Sequence, residues 1–204
     1  MGITVILLLL FGFLAVVCIG LVIFLIGIYN KLVAMGNQTD NSFSQIEVQM
    51  KRRHDLIPNL VETVKAYMGH ERETLEAVIQ ARNQAVQGLQ GAAKNPGDSE
   101  ALTMMVGAEQ GLNGALGRLF ALSEAYPDLK ANQNMAQLTE EITSTENKIG
   151  FARQAYNDTV TGYNTYRQSF PQVIFASAFG HAYDRELLEF DTAEISEAPK
   201  VSFD

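Results

Sequence analysis

Side chains able to do chemistry are few in this chain, and their spacing does not bring them together. Histidine occurs at positions 54, 70 and 181 only, with no HExxH, and the single cysteine, Cys18, lies inside an apolar run. A zinc site of the usual ligands therefore lacks donors, and no disulfide framework exists. The acids Glu71, Glu73, Glu76, Glu140 and Glu141 sit at surface positions of helical patterns. A di-iron site in a bundle would need Glu-x-x-His pairs, which are missing. No G-x-x-x-x-G-K-[ST], G-x-G-x-x-G or G-x-S-x-G occurs, which removes support for phosphate-cradling and serine-nucleophile chemistry. The expectation is a protein that is not an enzyme and has no metal, cofactor or catalytic residue.

One stretch is richer. KRRHDLIPNLVETV, residues 51–64, combines three basic side chains, a histidine and a proline in an otherwise amphipathic pattern. Lys51 and Asp55 are i, i+4 neighbours and Arg52 and Asp55 are i, i+3 neighbours, pairs worth a few tenths of a kcal/mol. Pro58 lacks an N–H and crowds the carbonyl of His54, so a continuing helix must kink and leave that carbonyl free. Alternatively Asp55 caps a new helix with Pro58 in its first turn. A functional reading makes Lys51, Arg52 and Arg53 a basic spot for an acidic partner, conceivably the acidic tail of this chain or of a neighbour. Lys51, Arg52, Arg53, Asp55, Pro58 and Asn59 are thus the candidates for interaction or shape.

These residues need elements to position them. From Ile3 to Ile28 no residue is charged; as a helix this run spans roughly 39 Å, enough to cross a ~30 Å hydrocarbon core with some tilt. It lacks the basic n-region, short h-region and small-x-small site of a signal peptide, and Val17 before Cys18 does not fit a lipoprotein signal. Residues 1–28 are therefore read as an uncleaved transmembrane anchor, with the bilayer as a partner. Lys31 and then Lys51, Arg52 and Arg53 follow the run, so the positive-inside bias favours an N-terminus outside and a cytoplasmic remainder, without excluding the reverse.

Beyond the anchor the pattern is helical. Ile28, Leu32, Met35, Thr39, Phe43, Ile46, Met50, Ile57, Leu60, Val64 and Tyr67 recur at spacings of mostly three and four. Leu138, Ile142, Thr145, Ile149, Ala152, Tyr156, Thr159, Tyr163, Tyr166 and Phe170 follow a period near 3.5, the seam of a coiled coil or narrow bundle. Turn signals at KNPGD (94–98, with Asp98 or Ser99 as N-cap) and YPD (126–128), and a weaker one at Met68-Gly69-His70, divide the chain into helices at about 29–68, 70–93, 98–125 and 128–168. The fold expected is all-α: a transmembrane helix, a long antiparallel up-down-up-down four-helix bundle over 29–168, and a C-terminal apolar segment with an irregular acidic tail over 169–204.

The net charge of −8 is local in origin: Asp184, Glu186, Glu189, Asp191, Glu194, Glu197 and Asp204 face only Arg185 and Lys200. Nucleic acid is a poor partner for such a chain. Residues 168–183 contain no Asp, Glu, Lys or Arg. Ile174, Phe175 and Phe179 either pack onto the bundle or touch lipid or a neighbouring copy.

FSQIEVQMKRRHDLIPNLVETVKAYMGHERETLEAVIQAR from position 43, AYNDTVTGYNTYRQSFPQVIFASAFG from 155 and the closing APKVSFD resemble the LemA family of bacterial membrane proteins. The resemblance covers most of residues 29–204. It implies one membrane helix and a long antiparallel helical bundle in the bacterial cell (inner) membrane. It brings no established catalytic residues, cofactor or substrate. A relative in magnetosome membranes points towards membrane organisation. HAYDRELLEFDTAEI after the FG is longer than the family's usual segment and is expected to form an extra amphipathic helix. The functional expectation is a self-associating, membrane-anchored scaffold; the rival is an adaptor that recruits a membrane protease or envelope-stress partner through the 51–55 surface.

Overall fold

The computed structural model describes residues 2–189. Within them the regular structure is entirely helical: α1 (Gly2–Lys65), α2 (Arg72–Lys94), α3 (Ser99–Ser123), α4 (Pro127–Lys130), α5 (Gln133–Gln168) and α6 (Gln172–Ala176). APKVSFD and most of the acidic tail lie outside the described residues. So does the second half of the extra helix expected after the FG; its first half, 181–189, is not helical.

The expected breaks occur with adjustments. α1 runs without interruption through Pro58, so Asp55 caps no new helix. The charge-free run and the amphipathic helical pattern that follows it are one element. α1 ends at Lys65, where Tyr67 and Met68 both donate to the Val64 carbonyl. Of the two candidate caps after the Pro-Gly turn, Asp98 is the N-cap of α3, its carboxylate accepting from the Ala101 N–H at 3.1 Å, and Ser99 is the first helical residue. The proline break at Tyr126 makes a separate one-turn helix, with Pro127 at its start. α5 begins only after Asn132 has accepted a bond from the Met135 N–H.

The chain divides into two compact units. The first comprises Met1–Asn41 and Asp158–Arg185. Its core is small: Ile28, Leu32, Tyr163 and Ala176, with Met35, Tyr166, Phe175 and Phe179 packed against them. Asn164 holds the chain near its C-terminal limit by donating to the Arg185 carbonyl at 2.8 Å and accepting from the Arg185 N–H at 2.9 Å. Arg185 in turn pairs with Asp40.

Among the described residues the second unit comprises Ser42–Asn157 and residues 186–189. Ile57, Leu60, Val61 and Val64 of α1, Leu75, Val78 and Ala85 of α2, Leu112, Leu116 and Leu119 of α3, Leu129 of α4 and Met135 and Ile142 of α5 form one buried cluster. Asn157 repeats the clamp seen in the first unit, donating to the Leu188 carbonyl and accepting from its N–H. Buried Thr145 satisfies its hydroxyl on the Ile142 carbonyl of its own helix, the usual remedy for a hydroxyl inside. Of the seam expected along α5, Phe170 departs: it lies beyond the helix end and is 81% exposed.

α2 and α3 approach closely at Gly88, where a Cβ would stand 3.1 Å from the Met105 Cα and 3.4 Å from the Ala108 Cβ. Backbone cannot yield as a flexible side chain can. Gly91, one turn on, has nothing within 4 Å of its missing Cβ. Gly88→Leu is therefore expected to destabilise the full chain by about 1–3 kcal/mol, whereas Gly91→Ala should stabilise it by about 0.5–1 kcal/mol through helix propensity. Urea unfolding followed by circular dichroism in detergent checks both; equal effects at the two glycines would contradict the close approach.

Candidate functional site

The polar centre of the second unit is assembled from two gaps in apolar stripes. On α1 the stripe Ile46, Met50 is interrupted before Ile57, and helical phase turns positions 53 and 54 inward across that gap. On α3 the stripe Leu102, Met105 is interrupted before Leu112, and Glu109 takes the inward position. Each gap thus carries ionisable groups into the interior: Arg53, His54 and Glu109 are 3%, 2% and 0% exposed.

The carboxylate of Glu109 is met from both sides. A guanidinium N–H of Arg53 donates to Oε2, and His54 Nε2 lies 2.7 Å from Oε1. An ionised carboxylate only accepts, so Nε2 must carry the hydrogen, as the neutral tautomer or the imidazolium. Arg53 also donates to Asn113 Oδ1 at 3.0 Å, one turn along α3 from Glu109. Burial pushes the Glu109 carboxyl upward, but the His54 hydrogen bond and the Arg53 charge outweigh it, holding its pKa below the ordinary 4.5.

Pro58 is integrated into the same arrangement. The His54 carbonyl, which the proline ring deprives of its helical partner, accepts from Arg82 Nε of α2 at 3.2 Å. The carbonyl that Pro58 is expected to free thus becomes an acceptor that ties α1 to α2. Beside Arg53 opens a cleft of about 230 Å³, lined by Met50, Asn113, Glu146, Ile149, Gly150 and Arg153. Arg53 Nε, buried, has no hydrogen-bond partner.

The residues singled out from sequence thus separate. Arg53 does not belong to a basic surface spot: it is buried because its charge is matched inside by Glu109. Lys51, Arg52, Asp55, Pro58 and Asn59 are exposed on α1. Within the described tail, Asp184 pairs with Arg167 and Glu186 accepts from Ser99, so these acids have partners other than the 51–53 cluster. Phe175 and Phe179 pack in the first unit, while Ile174 is 61% exposed. Glu109, Asn113 and Arg82 escaped the sequence reading. The signal for Glu109 was its place in the gap of the α3 stripe, opposite in charge to the residues filling the gap on α1.

The chain is similar to known proteins over most of its length. The model of the LemA family matches residues 42–203. Magnetosome protein MamQ 1 of Paramagnetospirillum magneticum is 26% identical over 82% of this chain and 68% of its own. Magnetosome protein MamQ of Magnetospirillum gryphiswaldense is 26% identical over 70% of this chain and 58% of its own. Protein LemA of Metamycoplasma hominis is 26% identical over 83% of this chain and 76% of its own.

Removing Glu109 leaves a buried guanidinium without its anion, so Glu109→Ala is expected to cost about 3–5 kcal/mol, and combining it with apolar replacement as Arg53→Met/Glu109→Leu should recover most of that. The folded-state pKa of Glu109 is depressed, so its stabilising contribution is complete above the unfolded value near 4.5 and fades as pH falls through the lower folded value. Glu109→Gln should be weaker than the parent at neutral pH and converge with it in that acid window. Urea midpoints across pH test this; a gap unchanged by acid would contradict an ionised Glu109.

Proposed function

The chain belongs to the LemA family, and from that premise we propose that it is a non-enzymatic, single-pass membrane-anchored helical scaffold that self-associates and organises membrane or envelope components. The observation that carries this reading is α1. Its first turns expose large apolar side chains, Leu8 and Phe11 among them, and its later turns bury a regular stripe, all within one unbroken helix. An 18-residue window of α1 is apolar enough to cross a membrane and has none of its residues buried. The similarity to magnetosome proteins agrees with a membrane role.

A non-enzymatic role is supported by what the ionisable groups do. Arg53, His54 and Glu109, the ionisable cluster best placed for chemistry, are engaged with one another in the interior. In this reading residues 1–28 are the anchor, 29–168 an antiparallel four-helix bundle facing the cytoplasm of a bacterial inner membrane, and 169–204 an accessory segment. The antiparallel arrangement is supported in the first unit, where Lys31 lies over the Tyr166 ring and a Cβ on Gly162 would stand 3.6 Å from the Met35 methyl. Residue numbers rise on α5 as they fall on α1. A common anchor confines copies to two dimensions, where weak contacts act at raised effective concentration, and symmetric homo-oligomers are the common outcome.

One observation favours a second reading, an adaptor that recruits a membrane protein such as a protease or envelope-stress component. Lys51, Arg52, Asp55 and Asn59 are exposed together with Glu62 on α1, and they are not needed for the buried cluster.

Native mass spectrometry from lipid nanodiscs loaded at increasing protein density is expected to give multiples of the subunit mass; monomers alone at every density would sink the scaffold reading. Lys51→Glu/Arg52→Glu should leave folding within about 0.5 kcal/mol of the parent, as exposed substitutions do, and leave self-association intact. If the adaptor reading holds instead, that variant loses its captured membrane partner in pull-downs.

A further inference from the structure

Within the first unit, the segment between α5 and residue 180 is tied at both ends to the point where α1 stops being wholly apolar. The uncharged run of α1 ends at Ile28, followed by Tyr29 and Lys31. Before the segment, the Tyr166 ring receives Lys31 Nζ at 5.6 Å from its centroid. After it, the Phe179 ring meets Tyr29 edge-on at 5.5 Å and stacks with Phe175 at 6.2 Å. Ala176 is buried in the cluster containing Ile28 and Leu32.

The segment is two-sided. Phe175, Ala176 and Phe179 face the cluster, whereas Phe170, Val173 and Ile174 are 81%, 48% and 61% exposed. No ionisable side chain other than His181 occurs from 168 to 182, and burial and the nearby Arg185 hold His181 below its ordinary pKa, favouring the neutral ring. The flanking charges are paired, Arg167 with Asp184 and Arg185 with Asp40. An exposed apolar trio bounded by paired charges and by tyrosines and a lysine is the composition of a membrane-water boundary.

We propose that Phe170, Val173 and Ile174 form a second membrane contact, a wedge seated in the interfacial layer of the leaflet from which α1 emerges. Attachment of the segment at Ile28 and Tyr29, where the exposed apolar run of α1 ends, selects lipid as the occupant. Residues held against Ile28 and Tyr29 stand where the bilayer ends, and apolar side chains there gain by entering the boundary between headgroups and acyl chains. The anchor is thereby gripped at a second point and its rotation about its own axis is restricted. This inference rests on the reading that α1 spans the bilayer.

The test places an environment-sensitive fluorophore on single cysteines of the full chain, reconstituted in phosphatidylcholine–phosphatidylglycerol vesicles with and without nitroxide-bearing acyl chains. Native Cys18 reports the anchor; Phe170→Cys and Ile174→Cys in a Cys18→Ser background report the wedge; Val48→Cys, also exposed and apolar, is the reference. The expected result is blue-shifted emission and loss of most intensity to the nitroxide lipid at 18, 170 and 174, with water-like, unquenched emission at 48. Quenching at 18 with water-like emission at 170 and 174 overturns the wedge and leaves the anchor standing. Blue-shifted emission at 170 and 174 that lipid does not quench also overturns it, in favour of a second copy covering the patch. Equal quenching at 48 removes the specificity claimed for the segment. Absence of quenching at 18 overturns the anchor and the wedge together.

Discussion

A carboxylate enclosed among apolar side chains is tolerable only if donors meet it, and in the second unit that requirement falls on Glu109. Arg53 and His54 are adjacent on α1, so the two oxygens of a single carboxylate can be engaged only when α1 and α3 share one rotation and one axial register. Sliding either helix by a residue would strand charge in the interior, at a cost of several kcal/mol. Apolar stripes alone tolerate such slips more easily. The cluster therefore acts as a registration device, and the neighbouring contact between Arg82 and the His54 carbonyl extends it to α2.

Proline 58 illustrates how a local defect becomes a tertiary contact. Its ring removes one hydrogen bond from the helix, yet α1 continues because the orphaned acceptor is satisfied from another helix. Asn157 and Asn164 show the same economy on α5. Each uses its amide to donate to and accept from one backbone residue of the non-helical chain that follows Gly180, fixing Leu188 and Arg185 respectively. Irregular backbone thereby obtains the partners that a sheet or helix would otherwise provide.

The apolar surface divides along the same logic. In the second unit the large hydrophobic side chains are mostly covered by other helices. Along the first turns of α1 they are exposed in every direction, as suits a solvent that is itself apolar. Phe170, Val173 and Ile174 are exposed as well: the short helix α6, of only five residues, buries Ala176 and leaves Val173 and Ile174 open.

The sequence by itself determined the long helical stretches and their punctuation: the charge-free run from Ile3 to Ile28, the period of α5, a cap at Asp98 or Ser99 after a Pro-Gly turn and the proline break at Tyr126 are local signals, governed by solvation and backbone geometry within a few residues. Family membership was equally legible, because KRRHDLIPNLV is a contiguous string. What only the tertiary structure decided is which charges face water. Arg53 and Arg52 are chemically alike neighbours, and one is buried and the other exposed because helical phase and an acid on a distant helix make burial of Arg53 affordable. Pairing across 56 residues leaves no trace in local composition, since its energy depends on distance and on the exclusion of water, and both arise only when the helices meet.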